Sequence, residues 1–545
     1  MEQLESLDSA FLYLETRNAP MHIGSVQLYE CVEPVFDFAR YRELIRSRLP
    51  LSPVFRRRAV RVPMNLGRPY WVEDPNFDLD LHLEHVSLPG PGGWKELRAL
   101  AQDRFSSPLD PHRPLWSMTF VEGVDGISSL PPGSFAVISK IHHAAADGMG
   151  GVDLFSALWD PSPDGRSRLP RDRWKPETLP RRTGLIGRTV SHLVGQPAAL
   201  ARSAGALVRG SVSIGRELLT GDKQSPRLLF NAPRTRFNRT IETQRSFGGI
   251  TLPLAGVKAI KNRVEGATVN DVVLAVCSGA LRTYLKDHDE LPDDPLIAMA
   301  PISVREDMDR GTNRVSAMLV SLATNVRDPQ RRLRGILQST QDSKAYTRAI
   351  GAATLTDSTQ VVPFSLATAA SRLYSRMHVA SYHRPPFNLI ITNVPGPRMT
   401  LYLGGAKMVN VFGMAPVLDG LGMIVVVVSY DDKLTISVNA SRHLLPDIDV
   451  LLKHLLSAYD ELESVTGESA KTTVKRAGRG KRVRAADDRG KRASRARSAG
   501  KSGKKAKKKD AGRGGKKAAA PGKAAAAGKT AKKRRSKGAA RSARS

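Results

Sequence analysis

Only two cysteines, Cys31 and Cys277, occur in 545 residues, too few for a disulfide framework and compatible with a reducing compartment. Long apolar runs are missing as well. The greasiest stretch, Gly422 to Ser429, is far short of the roughly 20 residues that cross a bilayer, and its β-branched content reads as a buried strand. The chain opens Met1-Glu-Gln-Leu-Glu5, without the basic-then-apolar pattern of a secretory leader. The expectation is a cytoplasmic protein with no transmembrane segment, touching a membrane or lipid body only peripherally. No third and fourth ligands accompany the histidines in a recognisable array, and the His-x₃-His spacing of zinc peptidases is absent, so no metal is expected. No internal repeat is strong enough to make the halves duplicates.

What is abundant is positive charge, with a formal net of +32. Its distribution is uneven. Between Lys471 and Ser545 there are 30 Lys/Arg against 3 Asp/Glu, a net of +27, which leaves +5 for the first 470 residues. From Thr466 onward the chain is Lys, Arg, Ala, Gly and Ser with almost no large apolar residues. Such a tail cannot bury enough surface to offset the entropy of ordering, and disorder is expected. The remaining length exceeds one ordinary core.

Along that body, apolar spacing predicts helices over 4–14, 38–48, 95–105, 151–158, 268–285, 329–348 and 447–462, and strands over 23–29, 115–121, 135–141, 296–304, 316–323, 388–393, 422–429 and 434–439. Residues 71–88 read as extended. Prolines and weak periodicity make 161–245 a crossover linker, with surface helices expected within 185–219. The organisation is therefore two related α/β units, 1–160 and 246–465, joined by that linker and followed by the tail over 466–545.

One stretch carries candidate chemistry: Lys140-Ile-His-His-Ala-Ala-Ala-Asp-Gly-Met-Gly150. Adjacent residues leaving a strand point to opposite sides, so only one of His142 and His143 can face a given cavity. Imidazole suits a base at neutral pH because it is largely neutral there yet accepts a proton. The alanines leave space beside the rings, and the glycines after Asp147 permit a sharp turn. A packed turn that happens to hold histidines is the competing explanation. Asp147 either orients the ring or pairs with an arginine, and spacing alone does not choose.

His142-His143-Ala-Ala-Ala-Asp147-Gly148 resembles the HHxxxDG signature of the bacterial wax ester synthase/diacylglycerol acyltransferase family, within the wider CoA-dependent acyltransferase superfamily. Further blocks agree in order over roughly residues 1–465: Asp8 to Glu15, Pro20 to Gly24, Pro114-Leu-Trp116, Asn270-Asp271, Pro301 to Arg305 with Gly311-Thr-Asn313, and Asn393 to Pro397. The resemblance implies two chloramphenicol-acetyltransferase-like α/β domains with a tunnel along their interface. It implies that His143 is the general base, that Asp147 is mainly structural, and that Asn270 stands near the active centre. Long-chain acyl-CoA would be the donor, diacylglycerol or a long-chain alcohol the acceptor, and no cofactor is needed beyond acyl-CoA as substrate.

Several supporting residues have two readings each. Asn270 is a candidate oxyanion donor or a helix cap, with Asp271 beside it. Arg305 pairs with Asp147 or Asp271, or lies in a surface ion pair. Trp116 is core or lines an acyl channel. Pro395, Gly396 and Pro397 form a rigid turn or shape the interface next to substrate, and His22 reads as structural. The tail either only solubilises, or binds an anionic membrane or lipid droplet surface, or contacts nucleic acid. The last choice defines a rival function, a polyanion-binding protein with an inert body, although the body shows no nucleic-acid recognition motif.

Overall fold

A segment from late in the chain completes the sheet that residues 22–29 begin. The computed structural model describes residues 1–30, 35–147, 157–165, 169–187, 232–303, 315–350 and 384–466. The first half contains β1 (Glu2–Gln3), α1 (Ser6–Leu14), β2 (His22–Tyr29), α2 (Phe38–Arg48), β3 (Arg57–Val60), β4 (Tyr70–Glu73), β5 (Leu83–Ser87), α3 (Trp94–Ser106), β6 (Trp116–Glu122), β7 (Phe135–His142) and α4 (His143–Asp147). The second contains β8 (Arg245–Pro253), α5 (Leu254–Asn262), α6 (Val269–Asp287), β9 (Ile297–Ser303), β10 (Val315–Ser321), α7 (Pro329–Ile350), β11 (Leu389–Pro395), β12 (Tyr402–Leu403), β13 (Ala406–Met414), β14 (Met423–Tyr430) and β15 (Lys433–Ser441). A last helix, α8, spans 448–466. Most of the helix expected over 151–158, nearly all of 185–219, Cys31 and the tail lie outside the described residues.

Each half is built on a six-stranded mixed sheet, as the α/β expectation required. The first has the order β12-β13-β2-β7-β6-β5 and the second β10-β9-β11-β14-β15-β8. In the first sheet only β5 and β6 run parallel; in the second, β11 is parallel to both β9 and β14. The valine run forms β14, buried in the middle of its sheet. Strand β7 is buried along its whole length, between a cluster holding Trp116, Phe120 and Ile141 on one face and one holding Ala136, Ile138 and α3 side chains on the other.

No strand was expected between 397 and 422, yet β12 and β13 lie there. Strand β13 pairs with β2, and a register shift between Met408 and Asn410 breaks its alternation. Its other edge is closed by side chains from one face of β15. Lys433 Nζ donates to Val409 O at 2.8 Å, Thr435 Oγ1 to Val411 O at 2.8 Å, and Asn439 Nδ2 to Gly413 O at 3.4 Å. This satisfies carbonyls that a sheet edge would expose. The approach is close: a Cβ on Gly413 would sit 2.5 Å from Val426 Cγ1.

A buried ion pair fastens the same junction. Arg48 donates to Asp160 at 2.6 Å, with both side chains almost fully enclosed, and the Asp160 backbone exchanges two 2.9 Å hydrogen bonds with Tyr402 of β12. Removing one member strands a buried charge, so Asp160→Ala should cost about 3–5 kcal/mol, seen as a lower urea midpoint. The double replacement Arg48→Met/Asp160→Leu should recover much of that loss. A midpoint unchanged by Asp160→Ala would show that the pair does not brace the fold.

Candidate active site

The two candidate imidazoles end in different environments because β7 stops between them. His142 is the last strand residue, paired in register with His22 of β2, and its N–H donates to Leu115 O at 2.9 Å. His143 opens α4, with its N–H on Met21 O at 2.8 Å. His142 is 1% exposed, whereas His143 is only partly buried. The three alanines that follow are packed in the core cluster with Leu12 of α1. Their small size therefore lets α4 lie against α1, and does not leave the open space beside the rings that the sequence suggested.

His142 has a defined role as a neutral spacer. Its Nδ1 accepts the Ala144 N–H at 3.1 Å, which places the ring proton on Nε2, 3.7 Å from Glu15 Oε1. Burial, with smaller contributions from His143 and Arg61, pushes its pKa down to about 3. Glu15 itself is held above the usual carboxylate range by burial, against the Met21 N–H and the charges of Arg61 and Lys140. On the partner strand, His22 donates from Nε2 to Phe105 O at 2.8 Å and is kept neutral chiefly by burial; its structural reading holds.

His143 is oriented by an aromatic neighbour. The ring stacks on Phe11 of α1 with centroids 3.9 Å apart and planes 20° from parallel. Phe11 and Glu15 sit one helical turn apart, so one face of α1 addresses both imidazoles. The block from Asp8 to Glu15 marks the family without assigning Phe11 or Glu15 to the site, and Arg61 lies in none of the marked blocks. The i, i+4 spacing before the Pro20 break was the available signal.

In the second half, Asn270 stands in the first turn of α6. The helix is capped by Thr268 and Asp271: Asp271 Oδ2 accepts the Thr268 N–H at 2.8 Å and hydroxyl at 2.7 Å, and Oδ1 accepts from Thr340 at 2.8 Å. Asp271 thus joins α6 to α7. Asn270 is released from capping, and its Oδ1 accepts from Asn393 Nδ2 of β11 at 3.4 Å, leaving its amide N–H groups as the side that can donate. Asn393 likewise had no role assigned from the sequence.

The remaining candidates divide. Trp116 takes the core reading and not the channel one: it is 1% exposed, its indole N–H donates to Phe55 O at 3.0 Å, and it stacks on His82. Pro395 and Pro397 are exposed at the end of β11. Between them Gly396 N–H binds Ser429 O at 2.9 Å, where a Cβ would approach that oxygen to 2.2 Å, which makes this a turn pinned to β14. Gly148, Arg305 and the side chain of Asp147 lie outside the described structure.

Neutral burial of His142, His22 and His82 has a consequence for stability. Each has a folded-state pKa below its ordinary value, 6.5, so the unfolded chain takes up protons first as pH falls. Their contribution is complete above pH 6.5 and is lost below it, by about 1.4 kcal/mol per pH unit for each group still neutral in the fold. The melting temperature should drop between pH 7.5 and 5.5, and His142→Gln should flatten that slope. A flat profile in the parent protein would contradict the assignment.

Comparison with known proteins places these residues in context. Residues 4–273 match the wax ester synthase/diacylglycerol acyltransferase catalytic domain, and residues 311–463 match the C-terminal domain of the same family. A putative diacylglycerol O-acyltransferase of Mycobacterium tuberculosis is 36% identical over 477 residues, covering 85% of this chain and 100% of that protein. The O-acyltransferase WSD of Acinetobacter baylyi is 33% identical, covering 85% and 98%. The solved wax ester synthase/diacylglycerol acyltransferase of Marinobacter aquaeolei superposes with a TM-score of 0.62 at 28% identity, covering 86% of this chain and all of that one. With both domain matches in order around the histidine pair, the chain belongs to the wax ester synthase/diacylglycerol acyltransferase family.

Proposed function

We propose that the protein transfers a long-chain acyl group from acyl-CoA to the hydroxyl of diacylglycerol, forming triacylglycerol, and that long-chain alcohols serve as alternative acceptors to give wax esters. The observation that carries this reading is the division of labour at the end of β7. One imidazole is buried and neutral, while its neighbour is partly exposed and held by an aromatic face.

In the proposed reaction, His143 takes the acceptor's hydroxyl proton through Nε2 as the oxygen attacks the thioester carbon. A tetrahedral oxyanion forms and accepts a hydrogen bond from the Asn270 amide. Collapse breaks the carbon–sulfur bond, and the thiolate of CoA receives the proton from His143. The thioester supplies the activation, so the cycle balances with ester and free CoA as products. Proton transfer by a positioned base is worth roughly 10²–10⁴-fold, and one oxyanion donor about 3–4 kcal/mol.

No helix among the described residues is long and apolar enough to cross a membrane, so a lipid acceptor has to be met at a surface. We assign the tail, net +27, to anionic membrane or lipid-droplet surfaces, where each nearby cation contributes about 1 kcal/mol. Nucleic acid is the competing polyanion for the tail alone. The rival reading of an inert body loses its ground once that body carries both acyltransferase domains.

The test offers labelled palmitoyl-CoA with diacylglycerol and hexadecanol in parallel and resolves the lipid products. His143→Ala should lower turnover by roughly 10²–10⁴-fold and Asn270→Ala by about 10²–10³-fold, both in folded protein. Full-speed ester formation by folded His143→Ala would overturn the mechanism.

A further inference from the structure

The segment leaving the first half runs across its surface as an extended strap. Residues 169–181 have no helix or strand, and Pro170, Pro176 and Pro180 fix backbone angles and remove donors. Three contacts hold it down. Asp172 accepts two hydrogen bonds from Arg56, each 2.7 Å. Trp174 lies under the Arg56 guanidinium at 5.1 Å and edge-on to Phe77 at 6.5 Å. Glu177 accepts the Met1 ammonium at 2.9 Å and the Glu73 N–H at 3.1 Å.

Both acids of the strap are thereby engaged by the body beneath, and the cations are left facing water. Arg171, Arg173, Lys175, Arg181 and Arg182 are all exposed, and among the described residues none of them forms an ion pair. Two large aliphatics of the strap are exposed as well, Leu169 at 40% and Leu179 at 38%. Neighbouring side chains on an extended backbone point to opposite sides, so anchoring Asp172 and Trp174 inward turns Arg171, Arg173 and Lys175 outward together.

We propose that this outer face docks the body on an anionic lipid surface, independently of the tail. Cations beside protruding aliphatics fit phosphate headgroups above acyl chains. A nucleic acid would use the charges and leave the leucines without a partner, and the strap's one aromatic, Trp174, is turned inward. A chain of ring contacts runs inward from the strap. Trp174 meets Phe77, Phe77 stacks on His82 at 5.5 Å, and His82 stacks on Trp116 at 4.5 Å. Trp116 adjoins Leu115, whose carbonyl holds the His142 N–H. Docking here would bring the acyltransferase body to a membrane-borne acceptor. This purpose rests on the acyltransferase reading, whereas the binding does not.

The test uses a chain ending at Lys475, the limit of the compact unit, because both family domains end by residue 463. Flotation with phosphatidylserine/phosphatidylcholine vesicles is compared for the parent, Arg171→Gln/Arg173→Gln/Lys175→Gln and Leu169→Ser/Leu179→Ser. Each cation is worth roughly fivefold in partitioning, so the charge variant, which removes three, should lose about a hundredfold, and the leucine variant should weaken too. Turnover of detergent-dispersed substrates should be unchanged in both. Vesicle binding indifferent to both variants, or a parent chain that does not float, would overturn the proposal. So would a charge variant that weakens only binding to a short DNA. A chain that floats through the strap but forms no ester would instead overturn the transferase reading and leave this one standing.

Discussion

Successive side chains on a strand face opposite sides of its sheet, and the candidate chemistry of this protein depends on that constraint acting at one chain position. Strand β7 ends at His142, which must follow Lys140 and Ile138 onto the face shared with α3. His143 begins a helical turn and meets α1. One imidazole is therefore stripped of water and locked as Nε2–H by the Ala144 N–H, while the other keeps partial access and a stacked phenyl ring.

The second constraint is that the two sheets cannot separate freely. Strand β13 belongs by sequence to the second half and by hydrogen bonding to the first, and three side chains of β15 hold its outer carbonyls. Asp160 binds the backbone of β12 while it pairs with Arg48. Arg245 adds a further link, donating to the carbonyl of Asn18 across the halves. A rigid junction of this kind is what a reaction needs if its base stands on one sheet and its oxyanion donor beside the other, because misplacement of about 1 Å can cost 10²-fold. Asn270 is held by Asn393 of β11, and so shares the second sheet's position.

Much of this was legible in the residues. Buried β-branched runs gave away β7 and β14, and the Asn270-Asp271 pair marked the first turns of α6. The HHxxxDG block, with its companions in order, identified the family. What escaped had physical causes. Strand β13 carries a bulge, an interior Asn410 and Gly413, all of which erase the period-two pattern; its carbonyls are satisfied by side chains from a strand some 20 residues later, a relation no local window contains. Phe11 and Glu15 were missed because a helix of nine residues looks like ordinary packing until the strand it faces is known. The alanines between the histidines and Asp147 were misread as making room, when they are small because a helix lies against them.

The sharpest discrimination is between the two adjacent rings. Diethylpyrocarbonate labelling of the folded protein, mapped by peptide mass spectrometry alongside residual activity, reports which imidazole is reachable and reactive. Modification should fall on His143, track the loss of ester formation and be blocked by long-chain acyl-CoA, with His142 left unmodified. Labelling of His142 in its place, or loss of activity with His143 intact, would contradict the assignment of the base.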